Sequence, residues 1–195
     1  ERATSYWDTS PTQAKVLVRP WSTEEVSLAL KICPENDQSG VVQGGLTGLV
    51  KGADSPADDV IISLERLNVI EDVDELDGVA VVQAGAILQT VPAALSAQDF
   101  LFPLDFGARG SCMIGGCIAT NAGGMNVLRY GMTRQNLLGV EAVLADGTIL
   151  SPMNQMLKNN TGYDLKQLFV GSEGTLGIVT RAVFKLFPLP TSRQT

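Results

Sequence analysis

The residues with the clearest chemical potential are glycines, and the 20 glycines of this 195-residue chain are concentrated at four places. The four glycine clusters occupy residues 44–48, 107–116, 123–124 and 171–177. Glycine has no Cβ, so consecutive backbone N–H groups can turn towards one point and a ligand can approach closely. Thr47, Ser111, Thr120 and Thr175 add hydroxyl donors beside these glycines. Four such turns next to strand-like segments favour one shared site for a nucleotide diphosphate over four unrelated turns.

Several kinds of catalysis are excluded because the chain has no histidine. Neither a Ser-His-Asp nor a Cys-His arrangement can form, and the commonest near-neutral base is missing. The three cysteines, Cys33, Cys112 and Cys117, cannot supply the four ligands of a structural zinc site. We therefore expect packed, reduced thiols, no metal site and no catalytic residue within this chain.

Composition narrows the possible partners and locations. The chain has 14 basic and 21 acidic residues and a net charge of −7, which argues against nucleic acid as a ligand. No apolar stretch approaches the roughly 20 residues that span a bilayer, and the first ten residues do not resemble a signal peptide. We expect a cytoplasmic protein, with the periphery of the inner membrane or, in a eukaryote, the mitochondrion as alternatives. The start at Glu1 rather than Met indicates a trimmed or processed chain.

The common nucleotide-binding motifs are absent. No GxGxxG sequence follows a strand, which excludes the Rossmann fingerprint, and no GxxxxGK[ST] sequence is present, which excludes a P-loop. A nucleotide must therefore be bound by another scaffold.

The first part of the chain is predicted to form a small parallel sheet. Strands are expected at 15–19, 41–43 and 59–64. Between the first two, Ser22 and Glu25 have capping-box spacing, and Trp21 and Val26 are placed for a hydrophobic staple at the start of a helix that should end at Pro34. Strand, helix and strand at this spacing predict parallel pairing.

The rest of the chain is predicted to be mainly antiparallel. Hairpins are expected from 68–74 with 79–84, and from 137–145 with 148–150 around Asp146-Gly147. A helix at 86–98 should be kinked or shortened by Pro92, Asp164 should cap a short helix, and 178–187 should be the final strand. The fold class is therefore α+β, with an N-terminal extension (1–14), a first subdomain (15–66), a second subdomain (67–190) and a linker start (191–195).

Six sequence motifs carry a resemblance to a known family. They are QGGLTGL at 43–49, PLD at 103–105, GSCMIGG at 110–116, ATNAGG at 119–124, LRYG at 128–131, and NTGYDLKQLF at 160–169 followed by the glycines of 171–177. In this order the chain resembles the PCMH-type FAD-binding domain of the vanillyl-alcohol-oxidase/p-cresol-methylhydroxylase superfamily. Within it, the branch with D-2-hydroxyglutarate dehydrogenase, D-lactate dehydrogenase and the glycolate oxidase flavin subunit is most similar.

The resemblance implies two subdomains that hold one non-covalently bound FAD. It places the pyrophosphate on Gly44, Gly45, Leu46, Thr47, Gly48, Leu49, Gly115 and Gly116. It places the flavin and ribityl chain along Pro103, Leu104, Asp105, Ala119, Thr120, Asn121, Gly123 and Gly124, and the adenine or flavin beside Gly177, Ile178 and Val179. Gly110, Ser111, Ile114 and Tyr130 complete the implied cofactor-binding set.

The sequence departs from the family pattern at three positions. Val42 replaces a usual Pro and Leu46 replaces a usual Asn, which implies a looser loop and weaker FAD binding. Cys117 stands where Asn is frequent; without histidine it is the one candidate for a covalent flavin tether, and non-covalent binding is expected. Arg129 and Tyr130 are either substrate contacts or a structural pair at the edge of the flavin.

For the complete enzyme, the resemblance implies hydride transfer from C2 of a D-2-hydroxy acid to flavin N5. The groups that bind the substrate and remove its proton would belong to an absent C-terminal cap domain, and electrons would pass to a quinone, an electron-transfer flavoprotein or a cytochrome. The alternatives are an FAD-binding subunit of a hetero-oligomeric oxidoreductase that is non-catalytic alone, and a glycine-rich module for another nucleotide.

Overall fold

The N-terminal part of the chain forms a three-stranded parallel sheet in the computed structural model, which describes residues 2–192. Its strands are β1 (Val16–Val18), β2 (Gly40–Gln43) and β3 (Val60–Ser63), in the order β1-β3-β2. The central strand β3 is buried throughout, as its continuous apolar run predicted. The predicted parallel layer is therefore confirmed.

Helix α1 (Thr23–Glu35) connects β1 to β2 and packs its Val26 face into the core. The Ser22 Oγ accepts a hydrogen bond from the Glu25 N–H, while the Glu25 carboxylate accepts from the Trp21 N–H rather than from Ser22. The staple prediction for Trp21 is wrong: its ring is 64% exposed and lies 4.6 Å from the Arg66 guanidinium. The helix also includes Pro34 and ends one residue later than predicted.

The remaining helices and strands begin with Ile70. In chain order they are β4 (Ile70–Asp74), β5 (Val79–Gln83), α2 (Thr90–Ser96), β6 (Phe100–Leu101), α3 (Ile114–Ala119), α4 (Val127–Tyr130), α5 (Thr133–Asn136), β7 (Leu137–Val143), β8 (Ile149–Leu150), α6 (Lys166–Phe169), β9 (Ile178–Lys185) and β10 (Phe187–Pro188).

Five of these strands form an antiparallel sheet in the order β4-β5-β9-β7-β8. Both predicted hairpins, β4–β5 and β7–β8, are confirmed. Gly147 has a φ of 81° in the β7–β8 turn, a conformation that glycine adopts at low cost. Strands β10 and β6 form a separate two-stranded pair.

Two local predictions in this part need correction. Helix α2 begins at Thr90 rather than Ala86, because the preceding backbone pairs with other segments: the Ile114 N–H donates to the Ala86 carbonyl and the Leu88 N–H to the Cys112 carbonyl. Asp164 does not cap α6, since its carboxylate accepts from Lys166 Nζ instead.

One hydrophobic cluster extends from the parallel sheet into the antiparallel sheet. It joins Val26 and Ile62 on one side to Val82, Ile118 and Phe184 on the other. The two sheets therefore share a core and hold each other in place. Within residues 2–192, no helix has the length and apolar character needed to cross a bilayer.

Candidate functional site

A cleft of about 550 Å³ lies where the loops of the two sheets meet. This volume is in the range of small-molecule and cofactor sites. The predicted site residues that line it are Gly44, Gly45, Leu46, Thr47, Gly48, Leu49, Gly115, Gly116, Ala119, Thr120, Gly177, Ile178 and Val179. Three of the four glycine clusters therefore contribute to one cleft.

The first glycine cluster is placed by a close backbone contact. A Cβ built on Gly45 would lie 1.8 Å from the carbonyl oxygen of Ser111, so any other residue would force the two segments apart. A Cβ on Gly44 would instead make only an ordinary contact with the Met113 side chain, at 3.7 Å. Glycine at position 45 is therefore what lets the loop after β2 dock on the segment that leads into α3.

The loop at 44–53 is rich in unpaired backbone donors. Within residues 2–192, none of its N–H groups donates to a protein acceptor. Leu46 and Lys51 have φ values of 53° and 63°, in the left-handed region that residues other than glycine rarely adopt. A Cβ on Gly48 would meet nothing within 4 Å, so a ligand has room to approach there. Free amides beside open space are the features of a backbone anion site.

The two glycines at the start of α3 have different surroundings: Gly115 packs against Ala84, and Gly116 faces open space. A Cβ on Gly115 would lie 2.9 Å from the Ala84 Cβ, and the Gly115 N–H donates to the Ala84 carbonyl at 2.7 Å. Gly116 is exposed, and a Cβ there would meet nothing within 4 Å. Gly115 thus fixes the helix against β5, while Gly116 leaves the cleft open.

The far wall of the cleft is formed by the segment before β9. The Glu173 N–H donates to the Ala119 carbonyl at 2.8 Å, and Glu173 has a φ of 53°. A Cβ on Gly174 would lie 2.9 Å from the Val42 side chain. Among the described residues 2–192, Glu173 is the single charged side chain of the lining, so this part of the chain offers the cleft backbone dipoles and apolar groups rather than cations.

The other predicted site residues lie outside the cleft lining. Ile114 and Leu104 are part of the core and Pro103 is buried. The remaining members are half-buried or exposed: Asp105, Gly110, Ser111, Asn121, Gly123, Gly124 and Tyr130. Leu104 and Asp105 instead line a smaller cavity of about 360 Å³, where Arg109 forms an ion pair with Asp105.

Two of these outer segments are joined to each other. A Cβ on Gly124, whose φ is 136°, would lie 2.2 Å from the Asp105 carbonyl oxygen, and the Met125 N–H donates to the same carbonyl. Asn126 Nδ2 donates to the Pro103 carbonyl. The two segments therefore run together next to Phe106 and Ala122, which line the cleft.

Tyr130 contacts the Phe187 ring at a tilt and the Arg129 guanidinium. Its ring centroid is 4.6 Å from that of Phe187, and the Arg129 guanidinium lies 5.3 Å from its own ring centroid. Arg129 and Tyr130 therefore contact each other in the structure, and their roles as substrate contacts or as a structural pair at the edge of the flavin stay predictions.

Sequence reasoning missed the apolar lining of the cleft, including Leu64, Ala84, Met113, Phe169 and the two cysteines. Such residues have the same pattern as core residues, so the sequence carried no signal for them. Gln43, at the end of β2, is also fully buried and was not among the predicted site residues.

Cys112 and Cys117 form a thiol pair on the cleft wall. Their sulfur atoms are 4.0 Å apart, with the Cys117 S–H donating to Cys112. This hydrogen bond lowers the pKa of the Cys112 thiol, and together with burial it raises the pKa of Cys117 well above its usual range. Both thiols are nearly fully buried and unbridged.

Comparison with known proteins identifies the fold and its ligand class. Residues 14–151 match the family model described as "FAD binding domain". The chain is 47% identical over 179 residues to mitochondrial D-2-hydroxyglutarate dehydrogenase of Bos taurus, covering 92% of this chain and 33% of that protein. It is 45% identical over 169 residues to a putative mitochondrial D-lactate dehydrogenase of Schizosaccharomyces pombe, covering 87% and 32%.

A solved structure shows the same arrangement of elements. Alkyldihydroxyacetonephosphate synthase superposes with a TM-score of 0.81 at 26% identity, covering 90% of this chain and 32% of that one. The chain thus spans about a third of the length of the proteins it matches.

Proposed function

Since the chain belongs to the FAD binding domain family, with FAD as its cofactor, we propose that it is the FAD-binding part of a D-2-hydroxy-acid dehydrogenase. The observation that supports this best is the cleft of free amides and open glycines, whose chemistry fits a dinucleotide diphosphate. The similarity to D-2-hydroxyglutarate and D-lactate dehydrogenases supports the substrate class.

The proposed position of the diphosphate follows from the free donors. The free amides of 44–49 and the open edge at Gly116 belong to the lining of the same cleft, where Thr47 adds a hydroxyl. Backbone N–H groups can hold an anion without a basic side chain. This arrangement suits a cleft in which Glu173 is the single charged lining residue of the described part of the chain.

The two ends of the cleft suggest places for the rings of FAD. We assign the Ile178 and Val179 end, beside Gly177, to the adenine side, where Phe169 and Val42 provide apolar contacts. The Phe106 and Ala122 end continues towards Pro103, Leu104 and Asp105, and towards Asn121, Gly123 and Gly124. We assign that end to the ribityl chain and the flavin.

The residues of this chain indicate which catalytic roles belong to FAD, to the cleft and to the rest of the protein. Bound FAD supplies the hydride acceptor of a 2-hydroxy-acid oxidation. The cleft residues bind and orient the cofactor and exclude water from its apolar walls. No histidine is present to act as a base, so the groups that bind the substrate carboxylate and take its hydroxyl proton are assigned to a further domain of the whole protein.

Non-covalent binding is part of the proposal. Cys117 is 2% exposed and its thiol already donates to Cys112, so it does not present a free nucleophile to the flavin. The electron acceptor is assigned to the class of quinones, electron-transfer flavoproteins and cytochromes. A mitochondrial location is proposed from the names of the similar proteins.

A titration with FAD tests the cleft. Purified protein freed of ligand should quench flavin fluorescence on binding, and Gly48→Val should weaken that binding at least tenfold because its side chain fills the approach to the loop. Gly107→Val is the matched control, since a Cβ at Gly107 also meets nothing within 4 Å but Gly107 does not line the cleft. Equal affinity in both variants would contradict the proposed cleft.

D-lactate or D-2-hydroxyglutarate should not bleach the flavin of this chain under anaerobic conditions.

A further inference from the structure

The loop at 44–53 is held by residues from the beginning of the chain. The Arg2 guanidinium donates from Nε to Gln43 Oε1 at 2.6 Å and from Nη2 to the Gly44 carbonyl at 2.9 Å. Its Nη1 forms an ion pair with Glu65 at 2.7 Å. The Arg2 side chain is 15% exposed, so these contacts are largely shielded from water.

Gln43 connects Arg2 to the far end of the loop, because its side chain bonds both Arg2 and the Ala53 carbonyl. Its amide is fully buried, and Nε2 donates to the Ala53 carbonyl at 2.8 Å. The hydrogen bond from Arg2 requires an acceptor and so fixes which end of the amide is the oxygen. Arg2 thereby orients the Gln43 side chain that ties the loop across its base.

A second contact reaches the middle of the same loop. Trp7 Nε1 donates to the Leu49 carbonyl at 3.3 Å. Residues 3–12 fold back on themselves through an Ala3–Pro11 bridge, which places Arg2 and Trp7 at two points of the loop. These residues precede the segment that matches the family model, which begins at residue 14.

We infer that Arg2 is a positioning residue for FAD binding, acting through Gln43 and the Gly44 carbonyl. Free amides hold an anion well only when their directions are already fixed, because ordering them on binding would oppose affinity. Within residues 2–192, no N–H group of the loop at 44–53 donates a hydrogen bond to the protein, so the order of the loop must come from its neighbours. The N-terminal segment supplies that order. This inference rests on the proposed function.

The experiment compares Arg2→Ala with Arg19→Ala in the 195-residue chain. Arg19 also pairs with Glu65 but does not contact the loop, so it controls for the loss of one positive charge beside Glu65. FAD affinity is measured by flavin fluorescence. Without FAD, the rate of trypsin cleavage after Lys51 reports loop order, with cleavage after the exposed Lys158 as the internal reference.

Arg2→Ala should weaken FAD binding about tenfold and speed cleavage after Lys51, because charged hydrogen bonds to the loop are lost. Arg2→Lys should restore part of both properties, and Trp7→Phe should weaken binding about twofold, as expected for one exposed hydrogen bond. Arg19→Ala should match the parent.

Unchanged affinity and cleavage in Arg2→Ala, or equal effects of Arg2→Ala and Arg19→Ala, would overturn the inference while leaving the proposed function intact. Failure of the parent chain to bind FAD would count against the proposed function. In that case the cleavage measurement would still decide whether Arg2 orders the loop.

Discussion

Thr23 Oγ1 donates a 2.6 Å hydrogen bond to the Glu141 carboxylate, joining the first turn of α1 to strand β7 of the other sheet. Glu141 is 7% exposed and also accepts from Thr180 Oγ1, Ser151 Oγ and Arg181. A buried carboxylate is tolerated only when its oxygens are hydrogen-bonded or paired. This network therefore fixes the helix, and with it the parallel sheet, against the antiparallel sheet.

Thr23→Val should reduce the free energy of unfolding by about 1–2 kcal/mol, because it removes a hydroxyl donor to a buried carboxylate without changing side-chain volume much. Urea unfolding measures this change. Thr175→Val is the control, since its hydroxyl bonds only the nearby Ser172 carbonyl at an exposed position, and the effect should be under about 0.5 kcal/mol. Equal losses would show that the link between the sheets contributes no more than a surface hydrogen bond.

Gly45→Ala should destabilise the protein by more than about 2 kcal/mol, since its Cβ would overlap the Ser111 carbonyl oxygen and force a backbone shift. Gly48→Ala should leave the unfolding midpoint nearly unchanged because the space beside Gly48 is open. Thermal unfolding without FAD separates the two. Similar midpoints would mean that the loop docks differently from the arrangement described above.

Leu46→Asn should stabilise the protein by about 0.5–1 kcal/mol and tighten FAD binding, because Leu46 has a φ of 53° and Asn tolerates this left-handed conformation better. Leu49→Asn is the control, since Leu49 lies in the same loop without a positive φ. Chemical denaturation and FAD titration measure both effects. A gain of the same size in the control would show that polarity, rather than backbone strain, is responsible.

Alkylation should distinguish the cysteines. The Cys117 hydrogen bond lowers the pKa of Cys112, whereas burial raises the pKa of Cys33. Because the thiolate is the reactive form, a small alkylating reagent should modify Cys112 at a lower pH than Cys33. FAD should slow the reaction at Cys112, which lines the cleft, and not at Cys33. Peptide mass spectrometry measures each site, and protection of Cys33 alone would place FAD elsewhere.

Much of the fold could be predicted because its local signals agree with its packing. The β-branched run of β3, the Asp146-Gly147 turn and the cap at Ser22 each produced the element expected. The prediction that Asp164 caps a helix was wrong, because the Asp164 carboxylate accepts a hydrogen bond from the nearby Lys166 instead. The predicted hydrophobic staple of Trp21 was wrong, because the Trp21 ring lies under the guanidinium of Arg66, which is distant in sequence.

The glycines that line the cleft could be predicted from the sequence, whereas its apolar lining could not. Gly45, Gly48 and Gly116 stand out in the sequence because they belong to glycine clusters, and in the structure the missing Cβ either permits the contact with Ser111 or leaves open space. Met113 and Phe169 could not be distinguished from core residues, since whether an apolar side chain faces a cleft or the interior depends on tertiary packing. The Arg2 contact with Gln43 depends on chain folding over 41 positions, which no local pattern encodes.

The hydrophobic cluster that crosses both sheets has a thermodynamic consequence. Segments that share buried apolar surface unfold as one cooperative unit. Heating this domain should therefore give a single transition rather than separate melting of an N-terminal and a C-terminal half. Both walls of the cleft therefore fold and unfold together. We expect either half of the domain, expressed alone, to be unstable and unable to bind the ligand of the cleft.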